Sequence, residues 1–536
     1  MSARMHRLLP AGAVVAVLVA VASAGTPANA ATSVLVMPDP VLVGTLSLVQ
    51  GPIITEQSSG EIGRGRVTFR LSAGFWWWPG GEIPNVSVVD SGRCKGWNAL
   101  RLGADNVQSM ALRPYGRDLT VVIGRSSRRG CRGELRFTGF RVHALHTGTG
   151  TVTYAGSATI AGVPAGTVLA QVRTPAGPVG VGWGANDYGQ AAGGGQGNPV
   201  LFPVQFDDPA LVAVVPGVAL GAADETSYAV QADGSVMGWG RYADGSHESQ
   251  TPVTVTGVTG AVAVTGGFAH SLALRGDGSV LAWGSQDHGQ IGNGVFDPSY
   301  RLPPAPPTVV NGVTGAVAVE AADRTSYAVR ADGTVLAWGD GELGQLGNGT
   351  RQSVATPVPV SGLRGVVSLS ARSSLVVAAT ADGSVWQWGW DGYTFGPDGK
   401  AVLDVIPRRV AGLPPITRVA AASMHALALA ADGTVWAWGN NSNGCLGGGT
   451  TGPQAAPVQV VGLAGIVRIA AEGEFIYAGN EANYAVGRGG TLYEWCTLST
   501  DPRVYANFVT VPTPVWGINR VRDIVTGAAH ALAVVK

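Results

Sequence analysis

The stretch Gly267–Gly294, GFAHSLALRGDGSVLAWGSQDHGQIGNG, contains the pattern that decides the fold of this chain. An apolar run beginning at His270 is followed by an Asp-Gly pair and by a second apolar run that ends at Trp283. Asp-Gly supplies the positive φ angles that a two-residue hairpin turn needs. A glycine-rich tail, GQIGNG, ends the stretch. The pattern predicts two antiparallel strands and a tight loop after them.

The strand that ends in tryptophan recurs at a mean spacing of about 52 residues, which is within the range of propeller blades. An Ala/Val/Gly-rich strand precedes each pair, as from Ala261, and a fourth strand follows a variable loop, as from Thr251. The strands are continuous apolar runs, which is typical of sheets covered on both faces. Each unit is therefore predicted to be a four-stranded antiparallel blade. The seven tryptophans are Trp183, Trp239, Trp283, Trp338, Trp388, Trp438 and Trp495.

The two ends of the repeat region complete one another. The chain enters at Val179 with a tryptophan strand that lacks its upstream half, and it ends with an upstream half, from Val521, that lacks its tryptophan strand. We predict that residues 531–535 pair antiparallel with residues 179–183. Such pairing closes a ring of seven blades and removes the exposed sheet edges.

The order GxxHSLALxxDGxVxAWGxxxxGQxGxG resembles the repeat of the regulator-of-chromosome-condensation family. The resemblance covers residues 179–536 and implies a seven-bladed β-propeller. Residues 480–484 look like an insertion, and we expect distortion of that blade rather than its loss. The departures from the family pattern are Thr226, Thr325 and Leu375 in place of His, Cys445 in place of the Gln of the tail, and Cys496 in place of the Gly after Trp495.

The region ahead of the repeats has a different composition. A basic start and the apolar run at residues 11–21, too short to span a bilayer comfortably, predict a signal peptide over residues 1–30. Cleavage fits after Ala30 or after Ala24, and an uncleaved anchor is the alternative. We therefore expect a secreted or extracellular protein with no stable membrane insertion after cleavage. Association of the exported protein with the cell envelope is an alternative.

Residues 32–165 lack the repeat but contain short apolar strands, as from Val67 and Leu119, whose spacing favours a β-sandwich-like domain. Residues 166–178, with Gly and Pro, are predicted to be a linker. The predicted fold class is all-β, a seven-bladed β-propeller preceded by a smaller β-sandwich-like domain.

The four cysteines are an even number in a chain predicted to be exported, so disulfides are permitted. Cys94 and Cys131 are expected to form one. Cys445 and Cys496 each follow the tryptophan strand of adjacent blades, so they should emerge on one face, either bridged or as two unrelated thiols. Their spacings do not resemble a zinc site.

No residue set in the sequence favours catalysis, a cofactor or a metal. His270, His425 and His530 share one repeat position in different blades and are expected to be buried residues that tie neighbouring strands. One Asp per turn lacks the alternating carboxylates of a calcium loop. The net charge is zero, so no global field attracts nucleic acid.

Two aromatic groups are candidate binding sites. The loops between third and fourth strands gather on one face, and aromatic residues dominate binding hot spots; covering of blade edges is the alternative. A run of three tryptophans in the first domain is a candidate binding surface for a glycan or a protein. The alternative is that these residues lie at a partly covered sheet edge or domain contact. The loop candidates are Tyr188, Tyr242, Phe296, Trp390 and Tyr393, and the run is Trp76, Trp77 and Trp78.

These observations predict a secreted, non-catalytic scaffold that binds a protein partner. The resemblance implies protein binding through loops on a rigid disc, and one exported seven-bladed relative inhibits beta-lactamases. An inhibitor of an extracellular enzyme such as a beta-lactamase is therefore one alternative, and a cell-envelope or glycan-binding protein is another. Guanine-nucleotide exchange, the role of the family's founder, is a third, which the predicted export opposes.

Overall fold

The computed structural model divides the chain into two compact units, Met1–Ala176 and Gly177–Lys536. In the first unit it describes the backbone of the strands alone. In the second it also describes side chains, for most of residues 179–191, 219–241, 248–299, 301–392, 394–395, 397, 399–452, 454–473, 481–498, 508–515, 518 and 520–535, and it describes the backbone of strand 200–205. The described part of the chain contains no helix with the length and hydropathy that crossing a bilayer demands.

The first unit is made of antiparallel strands, which agrees with the predicted all-β class. Its sheets have the orders β1-β3-β9-β6, β12-β11-β4-β8-β7 and β2-β10-β5. The region predicted as a linker contains β12, which pairs with β11. The strands are β1 (Thr32–Val34), β2 (Leu46–Val49), β3 (Ile53–Thr55), β4 (Gly65–Leu71), β5 (Phe75–Trp78), β6 (Asn85–Asp90), β7 (Val107–Leu112), β8 (Asp118–Ile123), β9 (Gly133–Thr138), β10 (Phe140–Ala144), β11 (Thr149–Tyr154) and β12 (Val168–Arg173).

The second unit is a seven-bladed β-propeller, which confirms the predicted architecture. The innermost strands of successive blades contact one another around the ring, from β15 through β19, β23, β27, β31, β35 and β41 back to β15. Blades 1 to 3 are β15 (Ala219–Ala222), β16 (Thr226–Val230), β17 (Val236–Gly240), β18 (Ser249–Thr254); β19 (Ala261–Gly266), β20 (His270–Arg275), β21 (Val280–Gly284), β22 (Ala305–Val309); and β23 (Ala316–Ala322), β24 (Thr325–Arg330), β25 (Val335–Gly339), β26 (Val354–Pro359).

Blades 4 to 6 follow the same order, and blade 7 combines the two ends of the unit. A short pair, β38 (Thr497–Leu498) and β39 (Phe508–Val509), extends the loop of blade 6. The strands are β27 (Val366–Arg372), β28 (Leu375–Thr380), β29 (Val385–Gly389), β30 (Asp404–Val410); β31 (Ile416–Ala421), β32 (His425–Ala430), β33 (Val435–Gly439), β34 (Gln454–Gln459); β35 (Ile466–Glu472), β36 (Ala482–Gly487), β37 (Leu492–Trp495), β40 (Thr513–Pro514); and β41 (Val521–Thr526), β42 (His530–Val535), β13 (Val179–Gly184), β14 (Val200–Gln205).

The ring closes as predicted. Strand β13 pairs antiparallel with β42, from Val179 opposite Val535 to Gly184 opposite His530. Strand β42 in turn pairs with β41. The two ends of the unit therefore form one blade, held by main-chain hydrogen bonds and by packing against its neighbours.

The Asp-Gly turns differ in type from the prediction. In the turn of blade 2 only Gly278 has a positive φ, +79°, and its N–H donates to the carbonyl of Arg275 at 3.0 Å. This is a three-residue loop, in which only the last residue needs a positive φ. Asp277 instead accepts bonds from the N–H and hydroxyl of Ser279, which explains why Ser or Thr follows each Asp-Gly pair.

The tryptophan and the glycine-rich tail of the repeat join neighbouring blades. The Trp338 indole N–H donates to the carbonyl of Gln290 in the preceding blade at 2.9 Å, and Trp388 does the same to Gln345 at 2.9 Å. The glycine two residues after the glutamine must lack a side chain, because a Cβ at Gly347 would lie 2.8 Å from the indole nitrogen of Trp388. The repeated motif is thus a connector between blades rather than a functional site.

The three repeat histidines also join blades, as predicted. The Nε2 atoms of His270 and His530 lie 2.9 and 2.8 Å from the hydroxyls of Ser326 and Ser227 in the next blade. Burial lowers the pKa of His270 to about 4 and that of His530 to about 3. Both side chains are therefore neutral at physiological pH and serve packing and hydrogen bonding.

The predicted insertion in blade 6 is misplaced. Residues 482–484 belong to the regular second strand, β36, where Asn483 pairs with Trp495. Asn480 lies outside the described residues. The extra length lies just upstream, in the inner connection between β35 and β36 at residues 473–481, which has nine residues where the other blades have two or three.

Candidate functional site

The candidate site is one face of the disc, which we call the loop face. In an antiparallel blade, the first-to-second and the third-to-fourth connections emerge at the same end. The sequence analysis identified the outer, third-to-fourth connections and missed the inner ones. The loop face comprises the outer connections after residues 184, 240, 284, 339, 389, 439 and 495, and the inner connections at 223–225, 267–269, 323–324, 373–374, 422–424, 473–481 and 527–529.

Tyr188 lies at the junction of blades 7 and 1. Its half-buried ring lies 5.3 Å from the guanidinium carbon of Arg241, close enough for a cation–π interaction. Arg241 also forms an ion pair with Glu225 on the adjacent inner connection. The outer and inner connections therefore contact each other here, and Tyr188 presents only part of its ring to a partner.

Phe296 is the most exposed of the described candidates, with 48% of its surface accessible. The loop that carries it is held by Asp297, whose carboxylate accepts from the backbone N–H of Arg301 and Leu302 at 2.8 and 2.7 Å. Hydrogen bonds from Ser299 and Leu302 lower the pKa of this exposed carboxyl group. An aromatic ring on a hydrogen-bonded loop loses little conformational freedom on binding.

Trp390 lies in the loop of blade 4 and is half-buried. Its ring packs edge to face on Phe395, with centroids 5.8 Å apart and planes at 77°. Phe395 is 56% exposed, so this pair forms an apolar prominence on the loop face. Tyr242 and Tyr393 lie outside the described residues, and the role of all five predicted residues in binding stays a prediction.

Polar groups lie between these aromatic residues. Burial acts to raise the pKa of Asp287, but hydrogen bonds from His288, Ser285 and Gln290 lower it below its usual range. The guanidinium of Arg324, on the next inner connection, lies 3.4 Å from the imidazole of His288. The face is therefore of mixed charge, which suits a protein surface better than a uniformly charged polymer.

The centre of the loop face is crossed by Arg372, at the end of β27 in blade 4. Its guanidinium forms an ion pair of 2.9 Å with Asp224 of blade 1. It also donates to the carbonyl oxygens of Thr526 and Gly527 in blade 7 at 3.3 and 2.9 Å. The inner strands are thus linked across the axis, and this residue was not identified from the sequence.

Two carboxyl groups near the axis have raised pKa values. Burial raises the pKa of Glu472 to about 8, against the opposing effect of the Arg372 charge. Burial likewise raises the pKa of the partly covered Glu320 to about 7, although it accepts a bond from the N–H of Ala371. These groups were also missed, because part of their surroundings comes from blade 4, whose residues are distant from Glu472 and about 50 residues from Glu320 in the chain.

The opposite face carries an exposed apolar ring that the sequence did not indicate. Six of the seven inner strands, all except β15, have a register irregularity at the second residue, which leaves that residue without a cross-strand partner, and in blades 2, 3, 4 and 6 the residue is a valine. The exposed valines at these positions are Val262, Val317, Val367 and Val467. This valine ring is the alternative surface for a partner.

The disulfide between Cys445 and Cys496 is present, with Cα atoms 4.3 Å apart, and joins blades 5 and 6. Cys94 and Cys131 lie outside the described residues, as do the side chains of Trp76, Trp77 and Trp78. The bridge in the first domain and the glycan platform therefore stay predictions.

Comparison with known proteins agrees with this architecture. Two models of the regulator of chromosome condensation (RCC1) repeat match the chain, one at residues 332–379 and 432–478 and the other at 261–290 and 416–445. No curated protein sequence matches the chain.

Among solved structures, human WBSCR16 is 19% identical with a TM-score of 0.55, covering 67% of this chain and 100% of that one. Prp20p from Saccharomyces cerevisiae is 20% identical with a TM-score of 0.55, covering 67% of this chain and 92% of that one. These likenesses concern the fold. The repeat matches all lie within the propeller, and its seven blades agree with the resemblance to the RCC1 repeat family.

Proposed function

We propose that the propeller is a protein-binding scaffold whose partner docks on the loop face. The observation that carries the proposal is the set of aromatic side chains, from several blades, on loops held by hydrogen bonds, ring contacts and an ion pair. The tight turns between second and third strands offer less surface at the other end of each blade. Standard interfaces bury about 1,600 Å² in total, which several adjacent loops supply together.

The family supports a binding role. The structure of Prp20p is described with its binding properties to Gsp1p and histones, and yeast RCC1 (Prp20) has been solved bound to Kap60. Those partners are properties of the yeast protein. What we carry over is the coarser proposal that this disc binds a protein and does not catalyse a reaction.

The first experiment identifies the partner and then locates its surface. Affinity capture with the purified chain from extracellular and envelope fractions supplies the partner. Phe296→Ala is then expected to weaken binding about tenfold or more, about 1.4 kcal/mol, with little change in melting temperature. Trp390→Ala is expected to weaken it too.

Val317→Ala is the matched control, because Val317 is 57% exposed on the opposite face. Loss of binding in Val317→Ala, with full binding in Phe296→Ala and Trp390→Ala, would assign the partner to the valine ring and refute the loop-face proposal. If the two aromatic variants unfold, these side chains instead stabilise the propeller by covering blade edges.

We further propose that the protein is exported after removal of residues 1–30 and acts outside the cell. The support is the basic and apolar pattern of the N-terminus. Intact-mass measurement of the extracellular protein tests this, because retention of residues 1–30 in an exported chain contradicts cleavage. A narrower proposal is that the protein inhibits an extracellular enzyme. For beta-lactamases, adding increasing amounts of the purified chain to a beta-lactam hydrolysis assay tests it.

A further inference from the structure

Three departures from the repeat converge at the junction of blades 5 and 6. Cys445 occupies the position of the glutamine in the tail, and Cys496 that of the glycine after the tryptophan. Glu481 precedes β36, where the equivalent residue of blade 2 is Ala269. Ligand atoms of these three residues and of His425 all lie within 4.8 Å of one another, and all four residues are buried.

The position of Cys496 is unfavourable for a side chain. Cys496 has a φ of +64°, and the equivalent residues in the six other blades are glycines with positive φ. At one of them, Gly284, a Cβ would lie 2.4 Å from the carbonyl oxygen of Ala269. A cysteine held in this conformation is strained, and strain of this kind accumulates at functional sites.

A disulfide alone accounts for the two cysteines but not for Glu481. Its Oε2 atom lies 3.2 Å from Sγ of Cys445 and 3.7 Å from Sγ of Cys496. A disulfide sulfur has no proton to donate, and the other carboxyl oxygen, Oε1, is buried and has no hydrogen-bond partner among the described residues. A buried carboxylate with neither a donor nor a cation is costly, so these surroundings are incomplete for the oxidised pair.

His425 completes the set. Its Nε2 lies 2.8 Å from the amide oxygen of Asn483, and its buried Nδ1 has no partner in the part of the chain that the structure describes. Asn483 also donates to the carbonyl oxygen of Cys445 at 2.9 Å, so the histidine and the first cysteine are held by one amide group. Polar contacts behind a ligand fix its orientation in metal sites.

We propose that the reduced chain binds a zinc-class divalent ion between Cys445, Cys496, Glu481 and His425. Tetrahedral zinc with bonds of about 2.0–2.3 Å has ligand-to-ligand edges of about 3.3–3.8 Å. The two sulfur-to-carboxylate distances, 3.2 and 3.7 Å, are near that range before any side chain moves. Two thiolates favour zinc over calcium or magnesium, which prefer oxygen ligands.

The disulfide and the metal site are two states of the same residues. A dithiol reductant supplies two electrons and two protons, the bond between Cys445 and Cys496 breaks to give two thiols, and the reductant becomes a disulfide. Binding of the metal ion then displaces the two thiol protons to solvent. The blade junction remains cross-linked in both states, by a covalent bond or by coordination.

The experiment uses Co²⁺ as a spectroscopic probe on the purified full chain. The chain is reduced with a dithiol, freed of reductant under anaerobic conditions and titrated with Co²⁺. We expect one ion per chain, with thiolate-to-cobalt charge-transfer absorption and the strong visible bands of tetrahedral cobalt, both lost on addition of Zn²⁺. The oxidised chain should show neither band.

Variants separate this site from other thiols. Cys94→Ser/Cys131→Ser should keep the bands, whereas Cys445→Ser/Cys496→Ser should lose them. Glu481→Gln should weaken Co²⁺ binding by about tenfold or more while tryptophan fluorescence shows that the propeller is folded. Equal Co²⁺ binding by the oxidised and reduced chains, or bands that persist in Cys445→Ser/Cys496→Ser, would overturn the proposal.

Discussion

Replacement of Arg372 by Met tests whether the ring is held across its axis. The change removes an ion pair to Asp224, whose side chain is only 9% exposed, and two hydrogen bonds to carbonyl oxygens of blade 7. Methionine retains much of the volume, so the loss is mainly electrostatic. Removing one partner of a buried ion pair costs about 3–5 kcal/mol, because the remaining charge stays buried.

The expected change in melting temperature follows from the size of the unit. A propeller of about 360 residues unfolds with an entropy of about 0.76 kcal/mol/K, at about 2.1 cal/mol/K per residue. A loss of 3–5 kcal/mol therefore lowers the melting temperature by about 4–7 °C. Calorimetry of the full chain measures this, and tryptophan fluorescence in guanidinium gives an independent free energy of unfolding.

Arg351→Met is the matched control, because the Arg351 side chain is exposed and its Nε donates to the carbonyl oxygen of Glu342, a nearby residue of the same blade. It should change the free energy of unfolding by no more than about 0.5 kcal/mol. Arg372→Met/Asp224→Asn should be less destabilised than the sum of the single variants, because the two residues interact directly. If Arg372→Met matches Arg351→Met, the ring is not held across its axis.

The remaining predictions concern protonation, close packing and closure. The pKa of Glu472 is raised from 4.5 to about 8, so the folded chain binds this proton more tightly than the unfolded chain does. Relative to Glu472→Gln, the free energy of unfolding of the wild type should be highest below about pH 4.5. It should fall as the pH rises to about 8, by up to about 1.4 kcal/mol per pH unit. Gly347→Ala should lower the free energy of unfolding more than Gly362→Ala, because both have positive φ but a Cβ at Gly362 meets nothing within 4 Å. Deletion of residues 521–536 should abolish cooperative unfolding of the propeller, measured by calorimetry, because it leaves β13 without its partner.

Each of these has a clear contrary result. Parallel pH curves for the wild type and Glu472→Gln would mean that this carboxyl group is not desolvated. Equal losses in Gly347→Ala and Gly362→Ala would mean that backbone strain, and not contact with Trp388, requires the glycine. A sharp transition in the truncated chain would mean that six blades are stable without closure.

The sequence predicted the architecture of the propeller because its signals are local and repeated. The tryptophan strands, the apolar runs and the two half-blades each depend on neighbouring residues or on counting, and the pairing of β13 with β42 follows from them. The turn type was wrong because Asp-Gly occurs in more than one hairpin loop, and only the φ of Asp277 distinguishes them.

The candidate site was predicted only in part. The outer connections could be found from the chain direction within one blade, but Arg372 meets Asp224 across the ring, at a separation that no local pattern reveals. The exposed valines lie at register irregularities, which the sequences of these strands do not reveal. Glu481 was overlooked because its meaning depends on two cysteines from different blades.

Because the two ends of the propeller form one blade, that blade can be completed only when synthesis of the chain is nearly finished. Strand β13 leaves the ribosome before its partner, and His530, opposite Gly184, follows 346 residues later. At about 5–20 residues per second, that interval lasts about 20–70 seconds. During it β13 presents an edge to any strand that arrives first, so a second nascent chain can donate its own β41 and β42. The resulting exchanged dimer would have the same strand pairing as the monomer, so the rate of translation and the local concentration of chains would decide how often it forms.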